Sequence, residues 1–254
     1  MTSTGGFAEV IGDPIVQSKS PAIHNFWLNS LGIEAAYRAT LVTDLNAYFD
    51  ARRGDPDWRG CNITAPHKQA AIPLLDEASP IGAVNCVDRD GDRLIGLNTD
   101  VDGVNEAISG ADLGRVVMIG AGGAAKAVRA ALAPDRDIVS ITRRNIDDTG
   151  LIAGATLIIN ATPLGMNHAR PMPEALLAAL PSAAPGATAF DMVYQPLDTP
   201  FLQAARAAGL RSVDGLTMLI GQARVAFRLF FGAEPPAEHD AQLRHLLIKG
   251  TGRV

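Results

Sequence analysis

The stretch GCNITAPHK, residues 60–68, gathers an amide (Asn62), a hydroxyl (Thr64), an imidazole (His67) and an amine (Lys68) behind an apolar lead-in. Side chains of these types hold polar molecules by directional hydrogen bonds, and a lysine can also exchange a proton. A second stretch, Gly120-Ala121-Gly122-Gly123-Ala124-Ala125, fits the spacing G-x-G-x-x-A. Its chemistry is of another kind: glycines let the backbone approach a pyrophosphate, and the free amides of a following helix face the anion. Three further segments, QSKSP, GAVNC and GLNTD, set polar groups where strands or helices should end.

These segments need elements to position them. AEVIGDPI reads as a strand ending in a turn, and SKSPAIHNFWLNSLG as a helix with Ser20 at its N-cap, Pro21 at the first helical position and Gly32 at its far end. AAYRATLV is a strand, DLNAYFDARR a helix, GCNIT a strand, KQAAIPLLDEA a helix interrupted by Pro73, and AVNCVDRDGDRLIGLNT a hairpin turned at DGD. A second series follows: RVVMIG, DIVSITRRN, ATLIINATP, GATAFDMV and RSVDG as strands, with helices after the glycine turn and at TPFLQAARAAG. The long helix LTMLIGQARVAFRLFFG carries Leu216, Leu219, Ile220, Ala223 and Phe227 on one side. Alternating strands and helices predict an α/β protein of two open lobes. We expect one lobe from residues 1–100 with 216–254, the C-terminal helices returning to it, and a second, Rossmann-like lobe from 101–215.

The totals bound the function. With 254 residues, 47% of them hydrophobic and 19% charged, the chain can bury a substantial core and is not disordered. A net charge of −5 without a basic cluster argues against nucleic acid as a partner. No apolar run nears the roughly 18 residues of a membrane span, and the N-terminus shows no secretory signal. Cys61 and Cys86 form no paired-cysteine metal or redox motif, and so few cysteines point to a reducing, cytoplasmic setting. The small-molecule partner can be sought in the motifs; monomer and homodimer both stay open.

The residues after the second strand of the glycine unit decide the cofactor. An NAD site usually carries Asp or Glu there, about 20 residues past the turn, to hold the ribose diol. This chain has Thr142, Arg143, Arg144 and Asn145 instead, with no acid. A 2′-phosphate requires cations, and two arginines offer bidentate contacts, so NADP is favoured; the alternative is a pair of solvated surface arginines.

Taken together, QSKSP, NITAPHK, GAVNC, GLNTD, the glycine turn, INATPLGM, FDMVYQPLDTPFL and DGLTMLIGQA occur in the order, and over nearly the whole length, of the shikimate dehydrogenase family, which this chain resembles. The resemblance implies a reversible, NADP-dependent oxidation of shikimate to 3-dehydroshikimate. It implies that Ser18 and Ser20 bind the substrate carboxylate with Thr64 and Tyr194 near it, and that Asn62, Lys68, Asn85, Asp100 and Gln222 hold the ring hydroxyls. For the cofactor it implies Gly120, Ala121, Gly122, Gly123, Ala124, Thr142, Arg143, Arg144 and Thr162, with Met192 and Gly215 at the nicotinamide end. Lys68 and Asp100 are then the pair for proton transfer, Lys68 as acceptor and Asp100 orienting it and the hydroxyl. Each residue also has a plainer reading. Ser20 can be a helix cap, Asn62 and Asn85 can serve turns, and Lys68 can be an exposed lysine. His67 and His24 read as packing residues.

The chain departs from the pattern at three places. Cys86 stands where Thr is usual, the connection DEASP is short, and RNIDDTGLIAGATLIIN leaves little room for a full crossover helix and extra strand. A trimmed cofactor lobe is therefore expected. Two rival functions share these motifs: a quinate/shikimate or aminoshikimate-type dehydrogenase, and a non-catalytic NADP-binding module.

Overall fold

A computed structural model describes residues 5–132 and 136–249. The chain divides into two compact units, residues 1–99 with 222–254, and residues 100–221. The first opens with β1 (Phe7–Gly12), α1 (Ser20–Leu31), β2 (Ala36–Leu41), α2 (Leu45–Arg53), β3 (Trp58–Ile63), β4 (Glu77–Ala78), β5 (Cys86–Asp90) and β6 (Arg93–Leu97). Then come α3 (Asp100–Ala107), β7 (Val116–Ile119), α4 (Gly123–Ala131), β8 (Ile138–Ile141), β9 (Leu157–Asn160), α5 (Glu174–Ala179), β10 (Thr188–Asp191), α6 (Pro200–Ala207) and β11 (Arg211–Val213). Helix α7 (Gly215–Phe231) contains the second division, and α8 (Asp240–Lys249) ends the described chain. No helix among the described residues is long and apolar enough to cross a membrane.

The first unit is a mixed six-stranded sheet in the order β2-β1-β3-β5-β6-β4. Strands β2, β1 and β3 run parallel, while β5 is antiparallel to both β3 and β6. Its hairpin turns on Gly91 at φ 62°, a conformation that favours glycine. Helix α1 stops where Gly32 adopts φ 63° and returns its N–H to Asn29 and Leu28 carbonyls. Its start differs from expectation. Ser20 lies inside the first turn, Lys19 takes the N-cap position without a side-chain capping bond, and the Ser18 hydroxyl accepts from the Ser20 N–H at 3.3 Å.

The helix expected over KQAAIPLLDEA does not form; only Ile72–Leu74 makes a short 3₁₀ turn. Pro73 cannot donate to a helical ladder, Leu75 is extended, and the Asp76 carboxylate accepts from Arg53 at 2.9 Å and from the Leu94 N–H at 2.7 Å. Those bonds pin the segment to the sheet edge. Helices α3 and α5 and the two-residue β4 were not expected from the pattern; all three are too short to show a clear period.

The second unit is a five-stranded, all-parallel sheet in the order β11-β10-β9-β7-β8. Each of β7, β9 and β10 is buried along its whole length, as a parallel strand covered on two faces must be. One core layer joins Val116, Met118 and Ile159 to α4; the other joins Val117, Ile119 and Ile158 to α5 and α6. Between β8 and β9 only the 3₁₀ turn Thr149–Ile152 intervenes, with Ile152 buried.

The first sheet encloses one carboxylate. Glu9, in the middle of β1, is fully buried and accepts from Thr40, Arg52 and, at 2.9 Å, the Tyr48 hydroxyl. Burial alone would push its pKa up, but the hydrogen bonds from Arg52, Thr40 and Tyr48 and the Arg52 charge bring it below the ordinary value. The sign follows: a depressed carboxyl adds stability above the usual carboxylate range and loses it as pH falls. Glu9→Ala, which takes the buried carboxylate away from Arg52 and two hydroxyls, should cost about 3–5 kcal/mol in urea unfolding at neutral pH. Glu9→Gln should destabilise at neutral pH with a deficit that shrinks toward acid; a deficit independent of pH would contradict the assignment.

Candidate active site

In the first unit the site residues follow from strand ends. β3 delivers Asn62 and then the turn holding Thr64, His67 and Lys68. That turn is anchored three ways: the Thr64 N–H donates to Ile11 at 2.9 Å, the His67 N–H to Thr64 at 3.0 Å, and the His67 ring Nε2 to the Val42 carbonyl at 2.7 Å. A carbonyl only accepts, so Nε2 carries the proton and His67 is an anchor. The Lys68 carbonyl accepts from the Val84 N–H at 2.8 Å, which ties the lysine's backbone to the segment entering β5.

A run of buried polar side chains crosses this region. The Tyr37 hydroxyl donates to Asn62 Oδ1 at 2.6 Å, and Asn62 Nδ2 donates to the Asn85 carbonyl at 3.1 Å. Asn85 Nδ2 donates to Thr99 Oγ1 at 3.0 Å while its Oδ1 accepts the Thr99 N–H at 2.7 Å. Thr99 Oγ1 lies 3.3 Å from Gln222 Oε1. Burial raises the Tyr37 pKa well above its ordinary value, so the hydroxyl stays a donor, and the Ser20 hydroxyl bonds to it. Ser20, Asn62, Asn85 and Gln222 are thus joined in one network, with Ser18 bonded to the Ser20 amide and the Lys68 backbone one residue away at Val84. Tyr194 and Asp100 belong to the second unit, where Asp100 opens α3 and burial raises the Tyr194 pKa.

The first unit also holds participants that motif reading did not single out. Tyr37 and Thr99 link the predicted residues, and Asn98 Nδ2 donates to the Ala83 carbonyl at 3.0 Å. Lys19 is almost fully buried; its ammonium donates at 2.7 Å to the Leu247 carbonyl in the last turn of α8, and burial lowers its pKa. His24 is fully buried and stacks on Tyr37 with ring centroids 3.9 Å apart and an interplanar angle of 3°, a packing role. For Thr99 the available signal was its place in the polar run Asn98-Thr99-Asp100 at a strand end; Tyr37 carried no such signal.

The glycine turn leaves β7 and enters α4. Gly120 has φ 116°, and a Cβ there would lie 2.8 Å from Thr162 Cγ2. Gly122 and Gly123 face open space, and no side chain caps α4 at Gly122. Exposed backbone amides at an uncapped helix start are what a pyrophosphate requires, and Ala121 and Ala124 add no bulk. After β8, Asn145 closes a turn: its Oδ1 accepts the Thr142 N–H at 2.8 Å and hydroxyl at 3.0 Å, and its Nδ2 donates to Ser140 at 3.1 Å. Arg143 and Arg144 point outward from that turn, exposed.

Two buried residues at the ends of β9 and β10 were also missed. Asn160 and Asp191 are fully buried and bonded to each other at 2.9 Å. Asn160 Oδ1 accepts from the Thr162 hydroxyl at 2.6 Å, and Asp191 Oδ2 from Thr199 at 2.6 Å. Burial pushes Asp191 up to about 6, against the pull of Thr199, the Val193 amide and Asn160. Gly215 follows β11, where a Cβ would meet the Met192 and Val193 carbonyls at 2.6 Å.

A parallel sheet with a strand–glycine turn–helix unit, joined in sequence to a second α/β unit rich in buried amides, defines a Rossmann-like dinucleotide-binding protein. Comparison with known proteins narrows the class. The family model described as shikimate dehydrogenase substrate binding domain matches residues 10–87, and that described as shikimate 5'-dehydrogenase C-terminal domain matches residues 215–242. A shikimate dehydrogenase (NADP(+)) of Sphingopyxis alaskensis is 45% identical, across 95% of this chain and 97% of its own. The crystal structure of shikimate 5-dehydrogenase from Thermus thermophilus with NADP(H) and shikimate superposes with TM-score 0.81 at 34% identity, covering 97% of this chain and 99% of that one. A quinate dehydrogenase from Corynebacterium glutamicum in complex with NAD does so with TM-score 0.81 at 32% identity, covering 96% and 99%. The chain belongs to the shikimate dehydrogenase family.

The outward arginines yield a direct check. Replacing Arg143 and Arg144 together by alanine should weaken NADP binding by roughly a hundredfold or more, at about 1.5–3 kcal/mol for each lost charge-assisted bond, and leave NAD nearly unchanged. Equal losses for the two nucleotides in a fluorescence titration would show that neither arginine reads the 2′-phosphate.

Proposed function

We propose that this chain catalyses the reversible oxidation of shikimate to 3-dehydroshikimate, with Lys68 and Asp100 managing the proton of the reacting hydroxyl. NADP supplies the hydride acceptor. As the C–H hydride departs, the Lys68 amine accepts the hydroxyl proton and the Asp100 carboxylate orients amine and hydroxyl. Asn62, Asn85 and Gln222 hold the ring hydroxyls, and Ser18, Ser20, Thr64 and Tyr194 receive the carboxylate.

The observation that carries this reading is the hydrogen-bonded run through residues 84, 85 and 99. Val84 holds the Lys68 backbone on one side, and Asn85 fixes the Thr99 amide, the residue before Asp100, on the other. One short segment thereby anchors the Lys68 backbone and Thr99, the residue before Asp100. The amides on that run are preset by Tyr37 and Thr99, so a polyol would meet groups already oriented. A non-catalytic nucleotide binder has no need of a proton-transfer pair such as Lys68 and Asp100. The cysteines, both free and buried, support a cytoplasmic enzyme.

A second reading, oxidation of quinate, is favoured by the structural match to a quinate dehydrogenase. Reduced-nicotinamide absorbance with each pair of substrate and nucleotide separates the two: shikimate with NADP should give the highest kcat/KM. Turnover with quinate alone would transfer the assignment, and silence in all four pairings would leave only a binding module. Lys68→Ala should lower kcat by about 10²–10⁴-fold while the NADP dissociation constant stays at the wild-type value. A variant retaining near wild-type kcat would remove Lys68 from the proton path.

A further inference from the structure

Asp191 takes no part in the chemistry above, yet its carboxylate is fully buried at the end of β10 and meets donors on every bond the structure assigns it. Oδ1 accepts from Asn160 Nδ2 at 2.9 Å and from the Val193 N–H at 3.0 Å; Oδ2 accepts from the Thr199 hydroxyl at 2.6 Å. Thr199 in turn accepts the Leu202 N–H at 3.2 Å and so caps α6. Its hydroxyl proton is thus committed to Asp191 and its oxygen to the helix. A carboxylate, which only accepts, satisfies all three donors; an amide or a protonated acid would set a hydrogen against one of them.

Asn160 performs the reciprocal task on β9. Its Oδ1 accepts from the Thr162 N–H at 3.1 Å and hydroxyl at 2.6 Å, and its Nδ2 donates to the Leu164 carbonyl at 3.2 Å as well as to Asp191. Its own carbonyl accepts the Met192 N–H at 3.1 Å. The segments leaving two adjacent strands are therefore cross-tied through one side-chain bond. Both approach glycines too closely to admit a Cβ: the Thr162 methyl and the Ala161 carbonyl against Gly120, and the Met192 and Val193 carbonyls against Gly215. A shift of either segment moves the side chains that border the glycine turn.

We propose that Asn160 and Asp191 are positioning residues for the cofactor, fixing Thr162 and Met192 relative to the Gly120 turn so that the pair sets NADP affinity. The proposal rests on the reading that Thr162, Met192 and Gly215 face the bound dinucleotide. Burial holds the Asp191 pKa near 6, so at pH 7.5 the group is the charged acceptor this arrangement uses.

The test compares wild type with Asp191→Asn, Thr199→Val and Thr199→Ser at pH 7.5, below the unfolding temperature of each. NADPH fluorescence reports the dissociation constant, and initial rates report kcat and both KM values. Asp191→Asn and Thr199→Val should raise the dissociation constant and KM for the nucleotide by roughly tenfold, the effect of one lost hydrogen bond to a charged group, and leave the shikimate KM within about twofold. Thr199→Ser, which keeps the hydroxyl, should restore nucleotide affinity. A purely structural pair would reduce the active fraction, lowering apparent kcat with both KM values unchanged, and that result overturns the proposal. So would folded variants that bind NADPH like wild type. Should Asp191→Asn fail to fold, Thr199→Val and Thr199→Ser decide between the same outcomes. Wild-type protein that binds no NADPH would instead remove the cofactor reading itself, and this proposal with it.

Discussion

A buried amide or carboxyl must find partners, and in each unit a set of them finds other polar groups at one end of a sheet. The parallel strands β1, β3, β6, β7, β8, β9, β10 and β11 are followed, in turn, by Ser18, Lys68, Asp100, Gly120, Arg143, Thr162, Met192 and Gly215. Asn85 precedes β5, which is antiparallel to β3, so the start of β5 lies at the edge where β3 ends. The strand-borne residues assigned to substrate or cofactor therefore gather at the carboxyl end of their own sheet, where open α/β sheets bind ligands. There the helices cannot cover the backbone, and unpaired groups remain to be satisfied by each other or by a ligand.

Two buried carboxylates show how the same constraint yields opposite electrostatics. Glu9 faces the Arg52 guanidinium as well as hydroxyl donors, and its pKa falls; Asp191 is bonded only to neutral donors, and burial raises it. The difference is the presence of charged partners, Arg52 with Arg38 at 3.5 Å, not the degree of burial, since both are fully enclosed. Glu9 lies in mid-strand and holds β1 to β2 and α2, whereas Asp191 lies at a strand end beside the glycine turns. A carboxylate kept ionised by neutral donors alone is sensitive to small shifts of those donors.

Much of this was legible from residue type and spacing. The short runs VVMI, LIIN and TAFD, each between turn signals, read as buried strands, and the tight turn at Gly120 has the positive φ that suits glycine. The separated polar motifs pointed to the substrate unit only through the order they share with the shikimate dehydrogenase family; taken singly, a strand-end Asn, Ser or Thr also serves turns and caps. What escaped were features fixed by tertiary partners. KQAAIPLLDEA has good helix formers, but the Asp76 bonds to Arg53 and Leu94 outweigh local propensity by tying it to β6. Asn160 and Asp191 sit in runs that look uniformly apolar, and only the pairing of β9 with β10 brings them side by side. Tyr37 reads as an ordinary core aromatic until Asn62 stands within reach of its hydroxyl.

The abbreviated link between β8 and β9 has a further consequence for nucleotide choice. With a 3₁₀ turn in place of a crossover helix, the Thr142–Asn145 turn has no helix directly after it to hold it. Its shape depends on Asn145, whose side chain bonds the Thr142 amide and hydroxyl and the Ser140 carbonyl, while Arg129 reaches the Ser140 hydroxyl from α4 at 2.7 Å. An Asn makes such a turn from its own side chain, as a local substitute for tertiary support. The arginines proposed to read the 2′-phosphate are thus aimed by one amide rather than by a packed helix. The turn that follows β8 is thus held by short-range hydrogen bonds, with only a 3₁₀ turn between it and β9.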